Sequence, residues 1–149
     1  MSHLFRQAIK TDPAAQDRVR SWTADLRSGK YEQGFGTLRQ SSRTVEGEYA
    51  YCCLGVACLH PDAIVLDFTL SAYNLLPPDV VSLYCLTDNC GTFVIDDASS
   101  LRLPTFLPVV GGGCSLAAMN DDGRRPFSEI ADVIEYELNL ALTQAPSDE

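Results

Sequence analysis

Asp12-Pro13-Ala14-Ala15-Gln16-Asp17-Arg18-Val19-Arg20-Ser21-Trp22-Thr23-Ala24-Asp25-Leu26-Arg27-Ser28-Gly29 is the stretch on which the fold turns. The Asp12 side chain can accept a free N–H of a first helical turn, and Pro13 arrives with its φ already fixed for that turn. Val19, Trp22 and Leu26 recur at i, i+3 and i+7, with Arg18, Arg20, Asp25 and Arg27 beside them. That spacing predicts one apolar stripe on a helix running to about Ser28. Gly29 supplies the left-handed residue that ends many helices.

Working outward, Lys30 to Gly36 reads as a loop and Thr37 to Gln40 as a short strand. Ser41 to Gly47 forms a flexible turn, and Glu48 to Cys52 returns as the second strand of a hairpin. Leu54 to His60 is an apolar run too short for periodicity to decide between strand and buried helix, and Pro61 ends it. Residues 62–76 are apolar with few boundaries. Leu76-Pro77-Pro78-Asp79 starts a short helix through Val80, Leu83 and Tyr84. Thr87 to Gly91 is a turn and Thr92 to Ile95 a strand. Pro104, Pro108 and Gly111-Gly112-Gly113 mark irregular structure over 100–115, and Asn120-Asp121-Asp122-Gly123 reads as a second turn.

A last helix starts near Ser128. Ile130, Ile134 and Leu138 recur every four residues, with Val133, Ala141 and Leu142 widening the stripe. Glu129 and Asp132 place negative charge against the positive helix end. These elements predict a single α+β domain over 1–149, with amphipathic N- and C-terminal helices on a small antiparallel sheet. Residues 1–11 and 145–149 are expected to be mobile.

A chain of 149 residues has room for one ordinary core and needs neither disulfides nor a metal to fold. It holds no run near the ~20 apolar residues of a membrane span, and Met1 to Arg6 lacks the order of a secretion signal. A cytoplasmic protein is the expectation. Cys52, Cys53, Cys58 and Cys85 sit among Leu, Val, Ala and Tyr, where cysteine acts as a small buried hydrophobe, so the thiols are expected free in a reducing compartment. The net charge of −9 is uneven: residues 1–50 hold eight Lys/Arg against six Asp/Glu, and residues 51–149 hold three against fourteen. The acidic majority would repel duplex nucleic acid, while the basic half leaves room for a small anionic ligand.

Trp22, Leu26-Arg27-Ser28-Gly29-Lys30-Tyr31, Gln33-Gly34, Gly36, Leu38-Arg39, and Tyr51-Cys52-Cys53-Leu54-Gly55-Val56-Ala57-Cys58 are distinctive blocks. With them go Leu76-Pro77, Val80, Asn120-Asp121, Gly123, Phe127, Ile130-Ala131-Asp132 and Ile134. In these residues, from about 20 to 138, the chain resembles a family of small uncharacterised proteins encoded by bacteriophages and prophages. It departs from that family where a Trp-Leu-Gly-Leu-like string is usual and Leu83-Tyr84-Cys85-Leu86 stands instead. The resemblance implies a phage-related origin and an intracellular setting, and supplies no catalytic residues.

Three patterns bear chemistry. Arg27, Lys30, Gln33 and Arg39, with glycines at 29, 34 and 36, combine cations suited to phosphate with backbone that lets a ligand approach, and Tyr31 or Phe35 could stack on a base. The spacing is not a Walker A loop, and the blander account is a helix cap followed by a hairpin. Cys52 or Cys53 with His60 would make a nucleophile only if something lowers the thiol pKa, whereas apolar burial raises it; core packing is the expected role. Cys53/Cys58 and Cys85/Cys90 form two equally spaced pairs at the limit for zinc, and core packing competes again. Asp96-Asp97 and Asn120-Asp121-Asp122 are read as turn chemistry before cation ligands.

The expected function is therefore a non-catalytic, intracellular, phage-type binding protein without metal or cofactor. In its sharpest form it sequesters a small anionic nucleotide signal, as a counter-defence factor, with Arg27, Lys30, Tyr31, Gln33 and Arg39 as ligand-binding residues. The rivals are an inhibitor docking a host protein through acids such as Glu129, Asp132 and Glu135, and a small cysteine-dependent enzyme. Homo-oligomerisation stays open.

Overall fold

The computed structural model describes residues 2–93 and 114–143, and among them builds one α+β unit. Helix α2, Pro13–Arg27, forms as its sequence dictates: Asp12 Oδ1 accepts the Ala15 N–H at 3.0 Å, Pro13 sits in the first turn, and Gly29 follows the helix at φ 72°. It buries Val19, Trp22 and Leu26 against α7, Phe127–Thr143, whose buried stripe is Ile130, Val133, Ile134, Leu138 and Ala141. These two helices are the centre of the core.

A helix precedes them. Over Ser2–Lys10 the chain forms helix α1, with Phe5 1% and Ile9 0% exposed. It packs on α7 and is pinned there by Arg6 Nε donating to Glu137 Oε2 at 2.9 Å. Gln16 Nε2 then caps its end by donating to the Ile9 carbonyl at 2.9 Å. Without an acid in its first turn, and with only two inward apolar residues, α1 gives no start signal.

Strands β1 (Glu32–Gln33), β2 (Arg39–Ser41) and β3 (Tyr49–Tyr51) form a sheet in the order β1-β3-β2. The β2–β3 hairpin is antiparallel, as expected, with Arg39 opposite Tyr51 and Ser41 opposite Tyr49. The sheet itself is mixed, because β1, in the stretch read as loop, runs parallel to β3. Gly34 closes this pairing with an N–H donated to the Tyr51 carbonyl at 2.7 Å. Two paired residues are too few to show alternation, which is why β1 is silent in the sequence.

The ambiguous run after the hairpin is a helix. Helix α3, Cys53–Ala57, is buried throughout, and Cys52 caps it by accepting the Gly55 N–H at 3.3 Å. Trp22 Nε1 donates to the Cys53 carbonyl at 2.9 Å, and the Tyr84 hydroxyl to the Ala57 carbonyl at 2.7 Å. The two rings pack 5.0 Å apart, so α3 is held by the same aromatic pair that fills the core. Helices α4 (Asp67–Ala72) and α5 (Pro78–Leu83) follow, then β4 (Thr92–Phe93) paired antiparallel with β5 (Cys114–Ser115), and α6 (Leu116–Asp121). The strand expected to extend to Ile95, the Asp96-Asp97 pair, the three-glycine run and the tail from Ala145 lie outside the described residues.

Candidate functional site

The five ligand-binding candidates divide into two groups. Arg27 leaves the end of α2 and reaches α7, where its Nη2 donates to Asp132 Oδ1 at 2.6 Å and Glu135 Oε2 at 2.8 Å. It joins two helices. Gln33 points inward from β1, its Nε2 donating to Asn120 Oδ1 at 2.9 Å and to the Arg125 carbonyl at 2.7 Å.

Gln33 belongs to a buried polar junction. Asn120, 0% exposed at the end of α6, donates from Nδ2 to the Gly34 carbonyl at 2.8 Å and to Asp121 Oδ1 at 2.9 Å. Its Oδ1 also accepts the Cys53 N–H at 3.2 Å, while Asp121 Oδ1 accepts that of Gly36 at 3.0 Å. Asn120 and Asp121 therefore lie in α6 and bind the loop after α2 to the start of α3; the turn expected over Asn120-Asp121-Asp122-Gly123 is confined to Asp122 and Gly123. The blocks around Gln33-Gly34-Gly36, Cys53 and Asn120-Asp121 meet at this one place.

Lys30, Tyr31 and Arg39 come together on the outer side of the sheet. Lys30 Nζ lies 5.3 Å from the Tyr31 ring centroid, and Tyr31 meets Tyr51 edge to face at 5.7 Å. Tyr51 is the register partner of Arg39, whose guanidinium carbon stands 4.1 Å over the Tyr49 ring. Partners in an antiparallel pair, and residues two apart on a strand, share a face. Tyr31, Tyr51, Arg39 and Tyr49 thus make a continuous strip. Burial pushes the Tyr51 hydroxyl pKa up, and the nearby Arg39 pulls it partly back. Tyr49 and Tyr51 are absent from the sequence candidates, although their alternate placement opposite Arg39 is the signal that finds them.

Arg39 also clamps α4. It donates from Nε to Ser71 Oγ at 3.2 Å, from Nη2 to Ser71 Oγ at 2.8 Å and the Asp67 carbonyl at 3.1 Å, and from Nη1 to Asp67 Oδ1 at 3.2 Å. The Asp67 side chain remains 92% exposed.

The cysteines are core. Burial pushes the Cys52 thiol up to about 11, Cys58 up to about 12, and Cys53 well above its ordinary value. Backbone N–H groups at the start of α3 pull Cys52 the other way without winning. His60 is engaged elsewhere, its Nδ1 accepting the Asp62 N–H at 3.0 Å. Among the described residues no three His, Cys, Asp or Glu side chains are placed to hold a metal ion, and no helix is long and apolar enough to cross a membrane.

No curated protein and no solved structure matches this chain. The family model described as a domain of unknown function, DUF8296, matches residues 15–138, from the first turn of α2 to the inner face of α7 and thus through the sheet, the polar junction and the clamp. With most of its length covered, the chain belongs to the DUF8296 family.

Proposed function

We propose that the protein is a non-catalytic binding protein that holds a small planar anion, of the nucleotide class, against Lys30, Tyr31, Tyr51, Arg39 and Tyr49. The observation that carries this is the sequence of neighbours from the Lys30 ammonium to Tyr31 and Tyr51, and from Tyr51's register partner Arg39 to Tyr49. Tyrosine faces stack bases with little sequence demand, at about 1–3 kcal/mol per base. Lys30 and Arg39 are cations of the kind that pair with the phosphate groups of a nucleotide. Asp67 already pairs with Arg39, but its carboxylate is 92% exposed, and such pairs are worth roughly 0–1 kcal/mol. A phosphate oxygen that takes its place must reach a guanidinium whose side chain is 11% exposed and which also donates to Ser71 and the Asp67 carbonyl.

Arg27 and Gln33 leave the ligand set in this reading, because helix α7 and Asn120 engage them. Sequestration of a nucleotide signal in a host cytoplasm, as a phage counter-defence factor, is its finer form and rests on the family resemblance. The two rivals draw less support. Asp132 and Glu135 are engaged by Arg27 and Glu129 by Arg125, so a basic partner on α7 would compete with arginines the chain already supplies. A cysteine nucleophile would need a lowered pKa, and burial raises those of Cys52 and Cys53.

Equilibrium dialysis against linear and cyclic adenine and guanine nucleotides tests the proposal. At least one is expected to be retained, with affinity falling about tenfold or more in Tyr49→Ala and Tyr51→Ala and unchanged in Arg27→Ala. Tyr49 is 47% exposed, so its replacement leaves the core intact. No retention, or retention indifferent to both tyrosines, overturns the assignment.

A further inference from the structure

A second surface lies beside the strip and rests on different observations. Leu66, extended, leads into α4, and Ile64, Leu66 and Phe68 are 92%, 72% and 71% exposed. Tyr73, 54% exposed, meets Phe68 edge to face at 6.3 Å. Four of the largest apolar side chains therefore stand in water within ten residues. Scattered exposed hydrophobics need no explanation, but four concentrated within ten residues, two of them in contact, are the composition of an interaction site.

The group is presented on a fixed support. Leu70, on the opposite side of α4, is 5% exposed and anchors the helix in the core. Arg39 holds Asp67 and Ser71, and the Leu38 N–H donates to the Tyr73 carbonyl at 2.8 Å. A surface already held in place loses little freedom when it is covered.

Charge selects the occupant. Between Arg43 and Arg102 the sequence has no Lys or Arg and eight Asp/Glu. Of these, Glu46, Glu48, Asp62, Asp67 and Asp79 are exposed. Among the described residues, Arg18 and Arg39 reach this segment from elsewhere, largely covered and paired with Asp62 and Asp67. A second copy would set two such acidic faces together, and an anionic lipid surface would meet the same repulsion. The complement is apolar side chains flanked by cations.

We infer that Ile64, Leu66, Phe68 and Tyr73 form a docking surface for a basic amphipathic segment of another protein, its apolar stripe on this group and its Lys or Arg residues against the surrounding carboxylates. Aromatic anchors inside a polar rim are the usual composition of such surfaces. None of its four side chains belongs to the tyrosine–cation strip, so each surface can be altered without replacing a residue of the other.

Fluorescence anisotropy with a labelled synthetic helix, leucines and phenylalanines on one face and lysines on the other, tests this on the whole chain. Saturable binding is expected, weakened about tenfold by Phe68→Ser and by Leu66→Ser, and diminished by rising salt. A helix with glutamates in place of lysines should not bind, and nucleotide retention should be unchanged in Phe68→Ser. Equal binding of a scrambled peptide would reduce the effect to bulk charge and overturn the inference. So would binding untouched by both serine variants, or light scattering that reveals a dimer dispersed by Phe68→Ser, which would give the surface to a second copy. Crosslinks from a photoreactive residue at 68 into residues 94–113 of the same chain would also overturn it.

Discussion

A Cβ placed on Gly55 would stand 1.8 Å from the carbonyl oxygen of Leu38, which belongs to the backbone and cannot swing aside. The same carbonyl accepts the Cys52 N–H at 3.2 Å, so α3 and the start of β2 are in contact main chain to main chain. Gly55→Ala is therefore expected to lower stability by more than about 3 kcal/mol, read as the midpoint of urea unfolding or as loss of soluble protein. Asn120 is the polar counterpart. Asn120→Ala strands the Cys53 N–H and the Gly34 carbonyl in the interior, which should remove roughly 3 kcal/mol by the same measurement. Both residues were visible in the sequence, one inside an apolar block and one in an apparent turn. Their reasons were not, because each is set by a chain segment far away in sequence. Gln33 shows the converse: its polarity and glycine neighbours suggested a ligand, and the structure turns the amide inward to Asn120.

Among the elements, those with their own local signals were readable. Helix α2 announced its cap, its stripe and its stop, and α7 its four-residue recurrence; the hairpin of β2 and β3 also stood where turn chemistry put it. Elements that owe their form to a partner were not. Helix α1 exists because α7 offers a groove to Phe5 and Ile9 and a carboxylate to Arg6, while β1 exists because β3 has a free edge. Glu137 is wholly buried and Arg6 has 14% of its side chain exposed. Removing one partner of such a pair leaves the other charge inside the protein. Arg6→Ala should thus cost about 3 kcal/mol and raise hydrogen exchange along residues 2–10 first. A melting curve superimposable on that of the unaltered protein would show that α1 contributes nothing to the fold.

For the molecule as a whole, the buried thiols, together with the Tyr84 hydroxyl that burial also raises, favour unfolding at alkaline pH. Cys52 and Cys58 move from an ordinary value of 9.0 up to about 11 and about 12, and Cys53 well above it, all through burial. The folded state then holds protons that the unfolded chain releases above pH 9, so unfolding is favoured as pH rises through that window. Stability should be flat from these groups near neutrality and fall between about pH 9 and 12. Cys52→Ala with Cys58→Ala should flatten the fall, and equal slopes would place its origin elsewhere. At this scale the α+β class and the unequal charge of the two halves could be read from the sequence. The tyrosine–cation strip could not, since it forms only when β1 and β3 lie side by side.

The single guanidinium of Arg39 is shared between two neighbours, the tyrosine face of the sheet and the small helix α4. Whatever anion draws it toward the rings slackens its hold on Asp67, and whatever presses α4 against the sheet returns it. If both surfaces take the occupants proposed for them, each occupant is felt at the other with opposite sign, and equally in both directions. One arginine would then make the two faces antagonists.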